Sequence, residues 1–512
     1  MHGYALATPP SKLPGPLPVW RVDVARAEWS ALAAAVRADG GRLVSLWGSE
    51  RDAAAAVSAA YATGAGLLLA RLALDGADDA YADLSPWFPA AACMQRAIRE
   101  MLGLRADGAR DERAWLNHGN WPRDYHPLRA ACSGRETFAP APAAYPFVRV
   151  EGAGVHEIAV GPIHAGIIEP GHFRFSVVGE KVLRLEERLG YVHRGVEKRF
   201  EGRPAAAGVR LAGRVSGDST VAYAWAYAMA VESALGVEPP ARAAWLRALM
   251  LERERVANHL GDLGALGNDA GFGFGLAQFS RLREDWLRTH AERFGHRLLM
   301  DRVVPGGVAV DLDAAGAARL DAECVAVEAS VRALETLYDE HAGLQDRFTG
   351  TGRVSAELAA TLGLCGLAGR ASGRPGDLRV DHPCAPYDAL AVRRVVETGG
   401  DVAARVRVRF RELHESLRLI RALLAGLPGG DVQVALPHGG AAAAGIGWIE
   451  GWRGDVLVAV ELAADATIAR CHCHDPSWQN WPVLEHAILD EIVPDFPLIN
   501  KSFNLSYAGH DL

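Results

Sequence analysis

The sequence predicts an α+β protein: a small N-terminal unit of mixed strands and helices, then a larger, mainly helical unit with short sheets. Three observations carry this. Strand-like runs such as Trp20–Val24 and Gly66–Leu74 alternate with helical stretches in the first 130 residues. Long helical patterns then fill most of the chain from 220 to 425, and strand alternation returns after Val432.

Taken in order, a proline-rich lead precedes the strand Trp20–Val24. Arg26 to Ala38 is alanine-rich and helical, Leu43–Trp47 is a second strand and Gly66–Leu74 a third. FPAAACMQRAIREMLGL (Phe88 to Leu104) has an amphipathic helical pattern closed by Gly103. Residues 131 to 147, ACSGRETFAPAPAAYPF, have no periodic apolar face and read as a semi-stiff linker. Gly161-Pro162 and Pro170-Gly171 punctuate the next stretch, and HFRFSVV with KVLRLEERLGYV has the alternation of a hairpin. The helix ending near Leu235 opens on Ser-Gly-Asp-Ser-Thr, whose oxygens suit the unpaired N–H groups of a first turn, and closes at Gly236. In the following helix Glu252, Arg255, His259 and Asp262 share one stripe, which faces water or lies buried with equal expectation.

With 512 residues, half of them hydrophobic, the chain holds two or three domains with ample cores. A formal net charge of -8 argues against nucleic acid as a partner. No apolar run reaches the roughly 18–20 residues of a membrane span, and the N-terminus lacks the order of a secretory signal. The expectation is a cytoplasmic protein attached to a membrane, if at all, through partners. The seven cysteines contain no C-x-x-C pair, which speaks against a disulfide framework. Cys471, His472, Cys473 and His474 alternate along one strand, so their side chains point to opposite faces and core packing is expected over metal binding. No G-x-G-x-x-G lies in a strand–helix context, so NAD binding by this chain is not expected. His118, Arg123 and His126 read as ordinary residues of a docking segment.

The stretch from Gly161 to Lys198 carries His164, Glu169 and His172, and by composition alone it is a surface loop leading into a hairpin. Its GP-x-H start, EPGHF turn and YVHRG-x-EK ending resemble the opening of the large subunit of energy-converting (group 4) [NiFe] hydrogenases, which is related to the quinone-side, D-type subunit of respiratory complex I. FPAAACMQRAIREMLGL followed by NHGNWPRDYHPLR resembles the small, C-type subunit of complex I. The likeness runs the whole chain, in the fused order of formate-hydrogenlyase-type large subunits. It implies a C-type domain (1–130), the linker (131–147) and a D-type, hydrogenase-large-subunit-like domain (148–512).

In those hydrogenases four thiolates, from R-x-C-G-x-C and D-P-C-x-x-C motifs, hold nickel and iron. In this chain the resemblance puts Ser216, Ser219, Ser506 and Gly509 at those positions. Hydroxyls are hard, weakly acidic donors and glycine has no side chain, so no metal ligand set is expected. Glu169 matches the proton-passing glutamate and Arg453 the arginine of E-x-x-R-G. His164 and Asp269 match the histidine and aspartate of the complex I quinone site, whose tyrosine falls at Gly217; Tyr223 and Tyr507 are substitutes by residue type alone. The implied partners are an Fe–S small subunit like the cluster-bearing one of complex I, a ferredoxin-like subunit and antiporter-like membrane subunits, placing the chain on the inner face of the membrane. Two readings follow. In one, electrons from a partner Fe–S cluster pass to a quinone-like acceptor with proton coupling. In the other, the chain is a scaffold holding the Fe–S protein on an ion-translocating arm.

Overall fold

The computed structural model describes residues 3–51, 54–74, 79–141, 144–164 and 168–512. The N-terminal part is built on one five-stranded mixed sheet. Its strands are β1 (Ser11–Lys12), β2 (Val19–Asp23), β3 (Arg42–Arg51), β4 (Ala54–Thr63) and β5 (Gly66–Leu74), in the order β1-β2-β5-β4-β3. Helix α1 (Arg26–Ala38) follows β2, which runs parallel to β5. Strand β4 was not expected: AAAVSAAYAT is alanine-rich and weak in β propensity, yet it is buried between two neighbours and the tertiary context wins. Short strands β6 (Ala80–Ala82) and β7 (Arg105–Asp107) pair beside helix α2 (Ala91–Leu102), which ends at Gly103 with φ 73° as expected of a left-handed cap. No described residue between 108 and 154 belongs to a helix or strand.

The second part opens with a three-stranded antiparallel sheet: β8 (Val155–Val160), β9 (His172–Val178) and β10 (Lys181–Arg188). Helices α3 (Val196–Phe200) and α4 (Ala205–Ala212) lead into α5 (Thr220–Leu235). The core is then α6 (Ala241–Asp269), α7 (Gly273–Phe294), the small hairpin β11 (Val303–Val304) and β12 (Gly307–Val308), and α8 (Ala314–Glu340). Short helices α9 (Ala342–Phe348), α10 (Ala356–Leu362), α11 (Gly366–Ala371) and α12 (Leu378–Asp381) precede the long α13 (Val402–Gly426). A second antiparallel sheet, β13 (Ala443–Glu450), β14 (Asp455–Leu462) and β15 (Ile468–His474), is followed by α14 (Ser477–Ala487), α15 (Phe496–Phe503) and α16 (Tyr507–Asp511).

Helix α5 is apolar nearly all round because it is covered on every side, with β13 lying against it. The approach is close: a Cβ added at Gly447 would sit 1.8 Å from the carbonyl oxygen of Ala226. The polar stripe of α6 is buried, not water-facing. Glu252, Arg255 and His259 are fully buried, and Asp262 is 3 % exposed. Each is matched from another element: Arg379 and Tyr387 meet Glu252, the carbonyls of Glu450 and Gly451 meet Arg255, Glu412 meets His259, and Arg409 meets Asp262. A helix with both faces covered leaves its charges no water, so they are retained with buried partners.

The two parts are joined through side chains. His472 on β15 is bridged between Ser45 Oγ on β3 at 2.8 Å and Glu197 on α3 at 2.6 Å, while Trp47 stacks on its ring at 4.8 Å. Cys471 and Cys473 are fully buried, and burial pushes the Cys471 thiol up. His474 is hydrogen-bonded to Gln479, and burial holds its imidazole neutral, down to about 3. Among the described residues no cluster of three or more His, Cys, Asp or Glu is arranged to hold a metal ion.

Candidate functional site

Two turns meet in the middle of the second part. The first, Arg214 to Ser219, leads into α5; the second, Asn504 to Gly509, ends α15 and begins α16. Arg194, from the YVHRG segment, clasps them by donating to the carbonyls of Val215 (2.8 Å) and Ala508 (3.3 Å). Asn504 can turn the chain because it adopts the left-handed conformation at φ 46°, which asparagine tolerates better than most residues. Its side-chain amide donates to Asp262 of α6 at 2.7 Å, so the buried α6 stripe anchors the second turn.

The clasp brings together the positions that the resemblance matches to metal ligands. Ser216 Oγ lies 2.8 Å from Ser506 Oγ, and Ser506 Oγ accepts from the Gly509 N–H at 2.9 Å. Ser216 also donates to Asp218 at 2.9 Å, and Ser219 Oγ is 3.4 Å from the same oxygen. Arg453 grips Asp218 with both terminal nitrogens, at 2.8 and 2.5 Å, and donates to Ser219 Oγ at 3.2 Å. Its Nε donates to the Asn504 carbonyl, and its guanidinium lies 4.0 Å over the Trp452 ring. Burial works against the charge on Asp218, but Arg453 and the hydrogen bonds from Arg453 and Ser216 outweigh it and hold the carboxyl below its ordinary value. Asp218 is the site residue that sequence reading missed. Its signal was present: it sits between two former ligand positions, one acid in an otherwise small turn.

Ser219 occupies the N-cap position of α5 but does not cap it. The expected cap comes from α6: Glu254 accepts from the N–H groups of Val221 (2.6 Å) and Ala222 (3.2 Å). Burial pushes this carboxyl up to about 8, with the two N–H groups opposing.

Glu169 reaches the site: its carboxylate accepts from the Ala508 N–H at 2.9 Å, and burial raises its pKa against that bond and Arg194. Among the described residues no hydrogen bond or ion pair links His164 or Asp269 to the site. Both ring nitrogens of His164 are shielded and have no hydrogen-bond partner among the described residues, while Asp269 is exposed at the end of α6. Although its side chain is exposed to water, partial desolvation by its neighbours raises the Asp269 carboxyl, with Lys501 opposing. Tyr223 is fully buried with its hydroxyl on Asp475 at 2.8 Å, and the Tyr507 hydroxyl is buried without a partner among the described residues.

A centre bound by four thiolates does not fit these residues. Three positions offer hydroxyls already engaged with one another, with Asp218 or with Arg453. At the fourth, a Cβ added to Gly509 would fall 2.4 Å from Asp475 Oδ2, so the aspartate fills the room a ligand side chain would need. The donor set is hard oxygen where soft sulfur is required.

Comparison with known proteins agrees with the architecture. Residues 22–137 match the family of the respiratory-chain NADH dehydrogenase 30 Kd subunit, and residues 269–441 match that of its 49 Kd subunit. Formate hydrogenlyase subunit 5 of Escherichia coli (strain K12) is 33% identical over 450 residues, covering 86% of this chain and 78% of that one. The C/D subunit of NADH-quinone oxidoreductase from Bacteroides thetaiotaomicron is 30% identical, covering 64% of this chain and 62% of that one. Among solved structures, a chain of the membrane-bound sulfane sulfur reductase, an archaeal respiratory membrane complex, aligns with a TM-score of 0.67 and 26% identity, over 70% of this chain and 99% of that one. The protein therefore belongs to the complex I-like family in which 30 Kd-type and 49 Kd-type domains are fused, close to formate hydrogenlyase subunit 5 and the NADH-quinone oxidoreductase C/D subunits. Among the described residues no helix is long and apolar enough to cross a membrane.

Proposed function

We propose that this chain is the large subunit of a membrane-associated, complex I-like oxidoreductase, that it carries no [NiFe] centre, and that it acts as the rigid link between an Fe–S partner protein and an ion-translocating membrane arm. The observation that carries this reading is the 2.8 Å contact between Ser216 and Ser506, which closes the space between the two former ligand turns. Asp218 and Arg453 satisfy each other beside it, so the network needs no ligand to balance its charge. Family membership supports the setting, since relatives are subunits of hydrogenase and quinone-oxidoreductase complexes and one structural neighbour is part of a respiratory membrane complex.

A second reading rests on Glu169. Its carboxylate is bound at the edge of the network and its raised pKa suits proton delivery, so a quinone-like or other small acceptor would be reduced at the mouth of the closed site. One assay separates the two. In the purified complex, driven by a strong artificial donor with a soluble quinone, Glu169→Gln leaves turnover within about twofold if the chain is a link. Loss of turnover with assembly intact establishes the second reading.

A further inference from the structure

A cleft of about 1080 Å³ runs beneath the 144–147 segment, between α2, the 105–123 region and strands β9 and β10. It is lined by seven arginines against two glutamates, Glu100 and Glu112, in a chain whose overall charge is -8. Aromatic rings order part of this charge. The guanidinium groups of Arg113 and Arg188 lie 5.0 and 4.5 Å over the Tyr145 ring, and that of Arg174 lies 4.7 Å over Phe147.

The charge is balanced only in part from within: Asp111 pairs with Arg96 and Arg113, Glu186 also meets Arg113, Glu112 pairs with Arg99 and Glu157 with Arg174, which leaves Arg105, Arg123 and Arg188. Arg188 is buried and donates only to backbone carbonyls, those of Ala114, Trp115 and Asn117; burial lowers its pKa. The side chains of Arg105 and Arg123 are exposed on the wall and have no hydrogen-bond or ion-pair partner among the described residues. Glu100 acts on Arg188 through space, while its hydrogen bonds go to the N–H groups of Trp115, Leu116 and Asn117 and it makes no ion pair with Arg105 or Arg123 among the described residues. Three cations from three separate segments therefore face one cleft without an ion pair to a carboxylate among the described residues.

We propose that this cleft receives an extended acidic segment of a neighbouring subunit. Charge complementarity gives the sign of the partner, and clustered arginines are a recurrent means of recognising acidic motifs. Size and backbone chemistry distinguish a polypeptide from a free phosphate compound. The volume exceeds the ~300–1,000 Å³ of ordinary small-ligand sites. Phosphate sites also offer converging backbone N–H groups, whereas here the backbone presents carbonyls and the nearby N–H groups of 115–117 are taken by Glu100. Trp115 lies beneath the guanidinium of the lining residue Arg96 and packs edge-on against His510 of α16, the helix that follows Ser506, at 5.4 Å. The proposal rests on the chain working within a multi-subunit complex, not on whether the serine site turns over.

Two experiments test it. In the assembled complex, Arg123 replaced by photoreactive benzoylphenylalanine should cross-link on irradiation to a stretch of another subunit rich in Asp and Glu. Cross-links confined to this chain, or to a neutral or basic stretch, overturn the proposal. In the full-length chain, a labelled peptide of about ten Asp and Glu residues should bind, and the R105E/R123E double variant should weaken it about tenfold. Equal binding by the variant overturns the proposal, and so does ATP displacing the peptide at a lower concentration than unlabelled peptide, which would mark a polyphosphate site.

Discussion

The serine site and the arginine cleft are opposite solutions to the same problem of placing charge inside a fold. In the site, Asp218 and Arg453 form a two-pronged pair and the hydroxyls of Ser216, Ser219 and Ser506 use up the remaining hydrogen-bonding capacity. In the cleft, Arg188 is held by carbonyls and the Arg105 and Arg123 side chains are held by nothing described. A closed ledger of donors and acceptors marks structure; an open one marks a place awaiting a partner. By that measure our proposals assign a structural role to the position that the family resemblance gives to metal, and a binding role to the cleft.

The comparison breaks most sharply at Arg453. Replacing it with Met strands Asp218 beside the serines, and the chain should lose about 3 kcal/mol in denaturant unfolding, less than a fully buried pair because Asp218 is 36% exposed. Gly509→Cys comes next. Its Cβ would crowd Asp475, which also accepts from Tyr223 and the Ser477 N–H, so about 2 kcal/mol should be lost and no nickel should be gained.

Glu254 gives a pH signature. Its carboxyl is raised to about 8 in the folded chain, while in the unfolded chain it ionises near the ordinary value of 4.5. The folded state therefore holds the proton more tightly; that stability is full below about pH 4.5 and is lost as pH climbs toward 8. Glu254→Gln keeps an oxygen for the Val221 and Ala222 N–H groups and cannot ionise. Its unfolding free energy should be flatter with pH and exceed the parent's by roughly 2 kcal/mol at pH 8. A parallel pH dependence in both proteins would place the ionisation elsewhere. Ser216→Ala removes two hydrogen bonds for about 1 kcal/mol. The smallest effect sharpens the contrast: Arg105→Ala with Arg123→Ala should change stability by less than about 0.5 kcal/mol, because neither side chain has a hydrogen-bond or ion-pair partner among the described residues.

Much of this was legible in the sequence, for identifiable reasons. Helix α1 was readable to the residue from its alanine content, the hairpin of β9 and β10 from its alternation, and the end of α2 from Gly103. Strand β4 was not, because alanine carries no strand signal and only its neighbours make it a strand. The α6 stripe was undecided, since an amphipathic pattern cannot tell water from a partner; the arginines that meet it arrive from residues more than a hundred positions away. In the site, hydrogen bonds link Ser216, Ser219, Ser506, Gly509 and Arg453, and Glu169 is bonded to the neighbouring Ala508; Asp218 lay unread between two of these positions, and Glu254 became visible only once packing showed whom it faced. His164 and Asp269 were named from the same resemblance, and no hydrogen bond or ion pair among the described residues links either to the serines.

The most direct test of the central claim is the metal content of the purified, active complex, measured for nickel and iron against protein on one sample. The account predicts iron from the partner clusters and no stoichiometric nickel, because oxygen donors 2.8 Å apart leave neither the ligands nor the room for it. One nickel per complex, lost when Ser216 and Ser506 are replaced, would contradict it.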